Sequence, residues 1–99
     1  MRPVRHRTIV QELKFASELK RLVGLKVPRV TEFVEAIEWL LARKPEEGGK
    51  RLGSTDVWFI PSDYSKYKNE LPIIIYYTFD DDIVNLLSIV ESIYPPSEE

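Results

Sequence analysis

The sequence predicts one small α+β domain in which a pair of helices packs on an antiparallel sheet. In the first half of the chain, apolar residues recur at three- and four-residue spacing, which is typical of amphipathic helices. After Ser54 the pattern changes to runs of β-branched and aromatic residues, which favour strands. The length of 99 residues fits a single domain, and no segment repeats another. We therefore assign residues 1–94 to one domain and expect residues 95–99 to form a flexible acidic tail.

Residues 4–12 are compatible with two structures. Thr8 and Gln11 have the spacing of a capping box, which would begin a helix at Thr8. Ile9 and Val10 in the same segment favour a strand. The residues by themselves leave both alternatives open.

Two amphipathic helices are predicted next, at residues 13–23 and 30–43. Gly24 is the expected C-cap of the first helix, and Pro45 ends the second. Because the link between them is short, we expect an antiparallel helical hairpin. The apolar stripe of the first helix consists of Phe15, Ala16, Leu19, Leu22 and Val23. The stripe of the second consists of Val30, Phe33, Val34, Ile37, Leu40 and Leu41.

Three strands are predicted in the second half of the chain. The first covers residues 57–60 and ends at Pro61. Residues 73–79 are apolar at both alternating sets of positions, which indicates a central strand covered on both faces. The acidic residues 80–82 form a turn, and residues 83–90 return as the partner strand.

Composition excludes several classes of protein. The chain has no cysteine, so it has neither disulfides nor a thiolate zinc site, which fits a reducing cytoplasm. The longest apolar stretch, residues 71–79, is much shorter than the roughly 20 residues of a membrane helix. The basic start is followed by polar residues, so no signal peptide is expected. We therefore expect a cytoplasmic protein.

The net charge of −2 hides an uneven distribution. Residues 1–26 carry seven Lys/Arg and two Glu, whereas residues 27–99 carry seven Lys/Arg and fourteen Asp/Glu. An acidic chain is a poor candidate for broad, charge-driven nucleic-acid binding, although a local basic face remains compatible with this charge.

Neither of two features that suggest catalysis or metal binding has the partners it needs. His6 is the only histidine, and no motif supplies an orienting group, so we expect an exposed terminal side chain. Consecutive carboxylates at residues 80–82 do not converge on one ion, and the alternating pattern of a calcium loop is missing. We expect a solvated turn there and assign no metal.

The predicted loop at residues 62–71 interleaves cations with aromatic rings. This combination suits RNA, because cations contact phosphates and tyrosine rings stack on unpaired bases. The alternative is an ordinary solvent loop, in which lysine and tyrosine are common. Two basic residues before the first sheet strand would extend the same surface. The candidate RNA-binding residues are Lys50, Arg51, Tyr64, Lys66, Tyr67 and Lys68.

Trp39 lies on the polar side of the second helix, about opposite the centre of its apolar stripe. One alternative is that the first helix or the tail covers the indole. The other is that Trp39 anchors a protein partner, since large exposed aromatics mark interaction sites. The sequence leaves both open.

Two segments carry a family resemblance. Residues 32–48 combine an amphipathic helix with a Pro-x-x-Gly stop, and residues 74–77 lead through the acidic turn into Ile83 and Val84. Together, over roughly residues 5–92, they resemble the RelE/ParE superfamily of type II toxin–antitoxin toxins. The resemblance implies an N-terminal strand and a β-α-α-β-β-β order, with the helical hairpin packed on a twisted, mainly antiparallel sheet.

The resemblance also implies a function. Many members cleave messenger RNA on the ribosome without a metal or cofactor, by attack of the 2′-hydroxyl on the adjacent phosphate. On this chain, Lys66, Lys68 and Tyr94 would be the catalytic groups, and an antitoxin would be the usual partner. Other members inhibit DNA gyrase without catalysis.

The chain departs from the nuclease pattern in two places. Ile74 stands where family members often carry an arginine, and Val90 begins a segment that usually ends near a histidine or arginine. The resemblance therefore leaves three functions open: an endoribonuclease that inhibits translation, a non-enzymatic inhibitor of the gyrase-binding type, and a non-toxic module that binds an antitoxin.

Overall fold

The described helices lie in the first half of the chain and four of the five described strands lie in the second half, much as the periodicity predicts. The computed structural model describes residues 6–26, 29–61 and 73–91. Within these ranges the strands are β1 Thr8–Gln11, β2 Lys50–Arg51, β3 Trp58–Pro61, β4 Ile73–Phe79 and β5 Ile83–Glu91. The helices are α1 Leu13–Gly24, α2 Val30–Arg43 and α3 Pro45–Gly48. The predicted bounds of α2 and β4 are confirmed.

The five strands form one open sheet in the order β1-β5-β4-β3-β2. The edge strand β1 runs parallel to β5, and all other neighbours are antiparallel. β4 lies in the middle and is buried on both faces, since Ile74 and Ile75 are both inaccessible to solvent. The prediction of a central strand is confirmed.

Residues 8–11 form a strand, so the alternative of a helix beginning at Thr8 is wrong. The capping-box spacing is local, whereas the observed structure depends on pairing with residues 75 positions later in the chain. Ile9 lies opposite Val84, and Gln11 opposite Leu86. This parallel pairing satisfies the backbone groups that a helix would otherwise satisfy internally.

The sequence prediction missed α3 and β2. Pro45 begins a single helical turn instead of only ending α2, and Lys50 and Arg51 form a two-residue strand on β3. Gly24, expected to cap α1, is its last helical residue; Leu25 is the cap and Lys26 has the left-handed φ of 58°. These short elements have no periodicity by which a sequence could reveal them.

α1 continues the direction of β1 along the edge of β5. The backbone N–H of Glu12 donates to the Leu86 carbonyl at 3.0 Å, and β1 ends there while β5 continues to Glu91. Along this remaining edge, the Ile89 backbone N–H donates to Glu18 Oε1 at 3.2 Å. A helix side chain thus satisfies part of an edge that no strand in the described ranges covers.

α2 runs in the opposite direction, beside β1. Gln11 Nε2 donates to Glu38 Oε2 at 2.9 Å, and the Arg7 backbone N–H donates to the Ala42 carbonyl at 2.8 Å. As residue numbers rise in β1 they fall in α2, so α1 and α2 are antiparallel, as their short link predicts.

Both helices pack on the same face of the sheet. The core between them and the sheet consists of Phe15, Leu22, Val30, Val34, Ile37, Leu41, Ile60, Ile73, Ile75, Tyr77, Val84, Leu86 and Ile89. Most of the predicted apolar stripe residues are buried or half-buried there, but Ala16 and Val23 are exposed. In the described part of the chain, no helix has the length and apolarity needed to span a membrane.

Candidate functional site

The sheet has a second face, on the side away from the helices, and it carries a cross-strand row of four residues. Side chains alternate along each strand, so the neighbours of core residues Ile60, Ile75 and Tyr77 point away from the helices. The strand register places these neighbours side by side across four strands, and the row consists of Lys50, Phe59, Tyr76 and Ser88. We call this surface the helix-free face.

The helix-free face combines buried and accessible positions. Phe59 and Ile74 lie on it and are only 2% and 1% exposed, although neither belongs to the core under the helices. Tyr76 is half-buried, and Lys50 at the sheet edge is exposed. The face thus offers a cation and a phenol at two strands' distance, about 10 Å between backbones. The sequence could have indicated Tyr76, because it alternates with the inward-facing Tyr77.

The two basic residues of β2 do not share a surface. Lys50 pairs with Phe59 on the helix-free face, whereas Arg51 pairs with Trp58, which packs against the core on the helix side. Arg51 Nε donates to the Thr55 carbonyl at 2.7 Å, and its guanidinium lies 4.0 Å from Asp56. Consecutive strand residues point to opposite faces, so Lys50 and Arg51 lie on opposite sides of β2, and the loop that they were expected to extend lies outside the described residues.

The remaining candidates for RNA binding and catalysis lie outside the described residues. They are Tyr64, Lys66, Tyr67, Lys68 and Tyr94. The structure therefore neither brings them to the helix-free face nor separates them from it. The predicted tail at residues 95–99 also lies outside the described ranges.

Trp39 projects from the outer surface of α2 and is 60% exposed. Its ring is stacked by the Arg43 guanidinium, whose central carbon lies 4.0 Å from the ring centroid. Arg43 also donates to the Trp39 carbonyl at 2.9 Å. Since most of the indole is accessible, α1 does not cover it, and the tail lies outside the described residues. The spacing of four residues between them was the available sequence signal for this contact.

Tyr77 is a structural residue rather than a reactive one. Its side chain is fully buried, and its hydroxyl donates to the Pro45 carbonyl at 2.6 Å. Burial raises the pKa of Tyr77 well above its ordinary value, and the nearby Glu46 carboxylate raises it further. The phenol therefore stays protonated and holds α3 against the sheet.

The acidic turn between β4 and β5 uses its first carboxylate to bind the backbone. Asp80 Oδ1 accepts hydrogen bonds from the Asp82 and Ile83 backbone N–H groups, at 2.7 and 2.8 Å. This geometry is that of an Asx turn. His6 is exposed, and the described ranges contain no group of three or more His, Asp or Glu side chains placed to hold a metal ion.

Sequence comparisons with protein families and with curated proteins assign no function to this chain. No protein-family model matches the sequence, and no curated protein matches it. The helix-free face and the exposed Trp39 are thus the two features on which a function can be argued.

Proposed function

We propose that this chain is a RelE/ParE-like toxin that binds messenger RNA on the helix-free face and inhibits translation by cleaving it. The observation that carries the proposal is the row of Lys50, Phe59, Tyr76 and Ser88. It places a cation and an aromatic hydroxyl on the face that the helices leave uncovered. The order of an N-terminal strand, a helical pair and a mainly antiparallel sheet supports the family resemblance.

The chemistry would be an internal transfer at one phosphate. The 2′-oxygen loses its proton to a base and forms a bond to phosphorus, while the bond to the 5′-oxygen breaks and that oxygen gains a proton. Cations stabilise the charge that develops on the phosphate oxygens. In this proposal Lys50 contributes charge from the sheet, and Lys66, Lys68 and Tyr94 supply the remaining charge and proton transfer.

A second candidate function is non-enzymatic binding of a protein partner, either an antitoxin or a target such as DNA gyrase. The observation that favours it is the 60% exposure of Trp39 beside Arg43. Tryptophan and arginine are the residue types that most often dominate binding energy at protein interfaces.

The test of the proposal is growth after induced expression in a bacterial host. Wild type is compared with a Lys66→Ala/Lys68→Ala/Tyr94→Phe variant, and both are checked for soluble, folded protein. We expect wild type alone to arrest growth, with cuts at preferred codons in messenger RNA.

The other outcomes separate the remaining functions. Arrest by both proteins with intact messenger RNA would favour the protein-targeting candidate. Normal growth with both, at matched expression, would leave a non-toxic binding module and contradict the ribonuclease proposal.

A further inference from the structure

The solvent-facing surfaces of α1 and α2 carry opposite charges. On α1 the cations Lys14, Lys20 and Arg21 are exposed, whereas the helix's only acid, Glu18, is turned toward β5. On α2, Glu32 and Glu35 are exposed. The only cation within this helix is the half-buried Arg43, which is stacked on Trp39 near the end of the helix. Because the helices are antiparallel neighbours, a basic strip lies beside an acidic strip. We call this surface the outer helical face.

Two large apolar side chains interrupt these strips. Leu13 is 86% exposed and Trp39 is 60% exposed. Each lies opposite the buried stripe of its own helix, at an angular position where amphipathic helices normally carry polar residues. Accessible apolar side chains flanked by charges are typical of protein interfaces.

The charged side chains of the two strips are not neutralised by ion pairs within the described part of the chain. In the described ranges the side chains of Lys14, Lys20, Arg21, Glu32 and Glu35 form no ion pair with one another or with other residues. The charge pattern is therefore available to a partner.

We infer that the outer helical face binds a second copy of this chain. In a two-fold dimer, α1 of one copy would face α2 of its partner, and the same contact would occur twice. Each basic strip would then meet an acidic strip, with Leu13 and Trp39 supplying apolar contacts. A partner of uniform charge would attract one helix and be repelled by the other, which is why a second copy fits best.

This inference goes beyond the second candidate function, since it assigns the Trp39 surface to a second copy of this chain instead of an antitoxin or a target protein. It is compatible with RNA binding, because the helix-free face lies on the opposite side of the sheet. A dimer formed through the helices would not involve that face in either copy.

The experiment is a charge-exchange test by analytical ultracentrifugation. The acidic variant is Lys14→Glu/Lys20→Glu/Arg21→Glu, and the basic variant is Glu32→Lys/Glu35→Lys. We expect wild type to dimerise, and each variant alone to raise the dimer dissociation constant by about tenfold or more, because like charges then face each other. Mixing the two variants is expected to restore a heterodimer, since the acidic surface of one meets the basic surface of the other.

Two further variants serve as controls. Asp56→Lys/Asp81→Lys changes the net charge as much as the basic variant but lies outside the outer helical face, and it should dimerise like wild type. Trp39→Ala should weaken dimerisation while changing the melting temperature little, because the ring is mostly exposed. Circular dichroism confirms that each variant is folded.

A monomeric wild type, or a mixture that associates no better than the separate variants, would overturn the inference. Either result would leave the second candidate function open to its own test. If wild type were monomeric and Trp39→Ala nevertheless abolished growth arrest, Trp39 would bind a different protein. That result would reject the dimer but keep the second candidate function.

Discussion

The Tyr77 hydroxyl donates a 2.6 Å hydrogen bond to the carbonyl oxygen of Pro45, joining the central strand β4 to the first residue of α3. Both residues are buried. This bond satisfies a carbonyl at the corner where the chain leaves the helices and enters the sheet.

Removing the Tyr77 hydroxyl should destabilise the fold. We expect Tyr77→Phe to lower the free energy of unfolding by about 1 to 3 kcal/mol, because the Pro45 carbonyl loses its partner in a buried site. Urea denaturation measures the change. Tyr76→Phe is the matched control, because the Tyr76 side chain is half-buried on the helix-free face. It should lower the free energy of unfolding by less than about 0.5 kcal/mol. Equal losses in both variants would contradict the structural role of the Tyr77 bond.

Alkaline pH should weaken the fold through the same residue. Burial raises the pKa of Tyr77 in the folded state, whereas in the unfolded chain the phenol ionises near its ordinary value of about 10. Above that pH only the unfolded state loses the proton, so stability falls as pH rises, by at most about 1.4 kcal/mol per pH unit. The stability advantage of wild type over Tyr77→Phe should therefore shrink between about pH 9 and 11. A constant difference would be inconsistent with this linkage.

Gly49 should tolerate no side chain. A Cβ there would lie 2.5 Å from both the Phe59 carbonyl oxygen and the Tyr77 hydroxyl oxygen. Its φ of −137° is accessible to any residue, so the obstacle is steric. We expect Gly49→Ala to lower the melting temperature and cost about 1 to 3 kcal/mol. Gly24→Ala is the control: no atom lies within 4 Å, and it should be neutral or stabilising.

Glu18 should stabilise the unpaired edge of β5. Glu18→Ala leaves the part-buried Ile89 N–H without its acceptor, which should cost about 1 to 2 kcal/mol and speed hydrogen exchange at that amide. Glu18→Gln keeps an acceptor oxygen and should retain most of the protection. Identical exchange in all three proteins would show that the contact contributes nothing.

Lys50 and Arg51 should differ in RNA binding, because they lie on opposite faces. Under the proposed function, Lys50→Ala loses a phosphate contact, and the slope of log affinity against log salt for single-stranded RNA should fall by about 0.7. Arg51→Ala should leave the slope unchanged. Fluorescence anisotropy over a salt series distinguishes the two, and an equal effect of both substitutions would argue against the helix-free face as the binding site.

The elements with a long, periodic pattern of apolar residues could be predicted before the fold was known. Residues 30–43 show a helical stripe over the whole of α2, and residues 73–79 are apolar at every alternate position of β4. Burial of these apolar positions dominates the local choice of structure, so periodicity is a reliable guide there. The polar position of Trp39 was likewise readable from the helical period.

The short and ambiguous segments depend instead on pairing between distant parts of the chain. Residues 8–11 form a strand because they pair with β5. Lys50 and Arg51 form a strand because they pair with β3. Such pairing depends on residues far away in the chain, which a local window does not contain. It also sets which side of the sheet each side chain occupies, so the separation of Lys50 from Arg51 follows from long-range backbone hydrogen bonding and strand alternation.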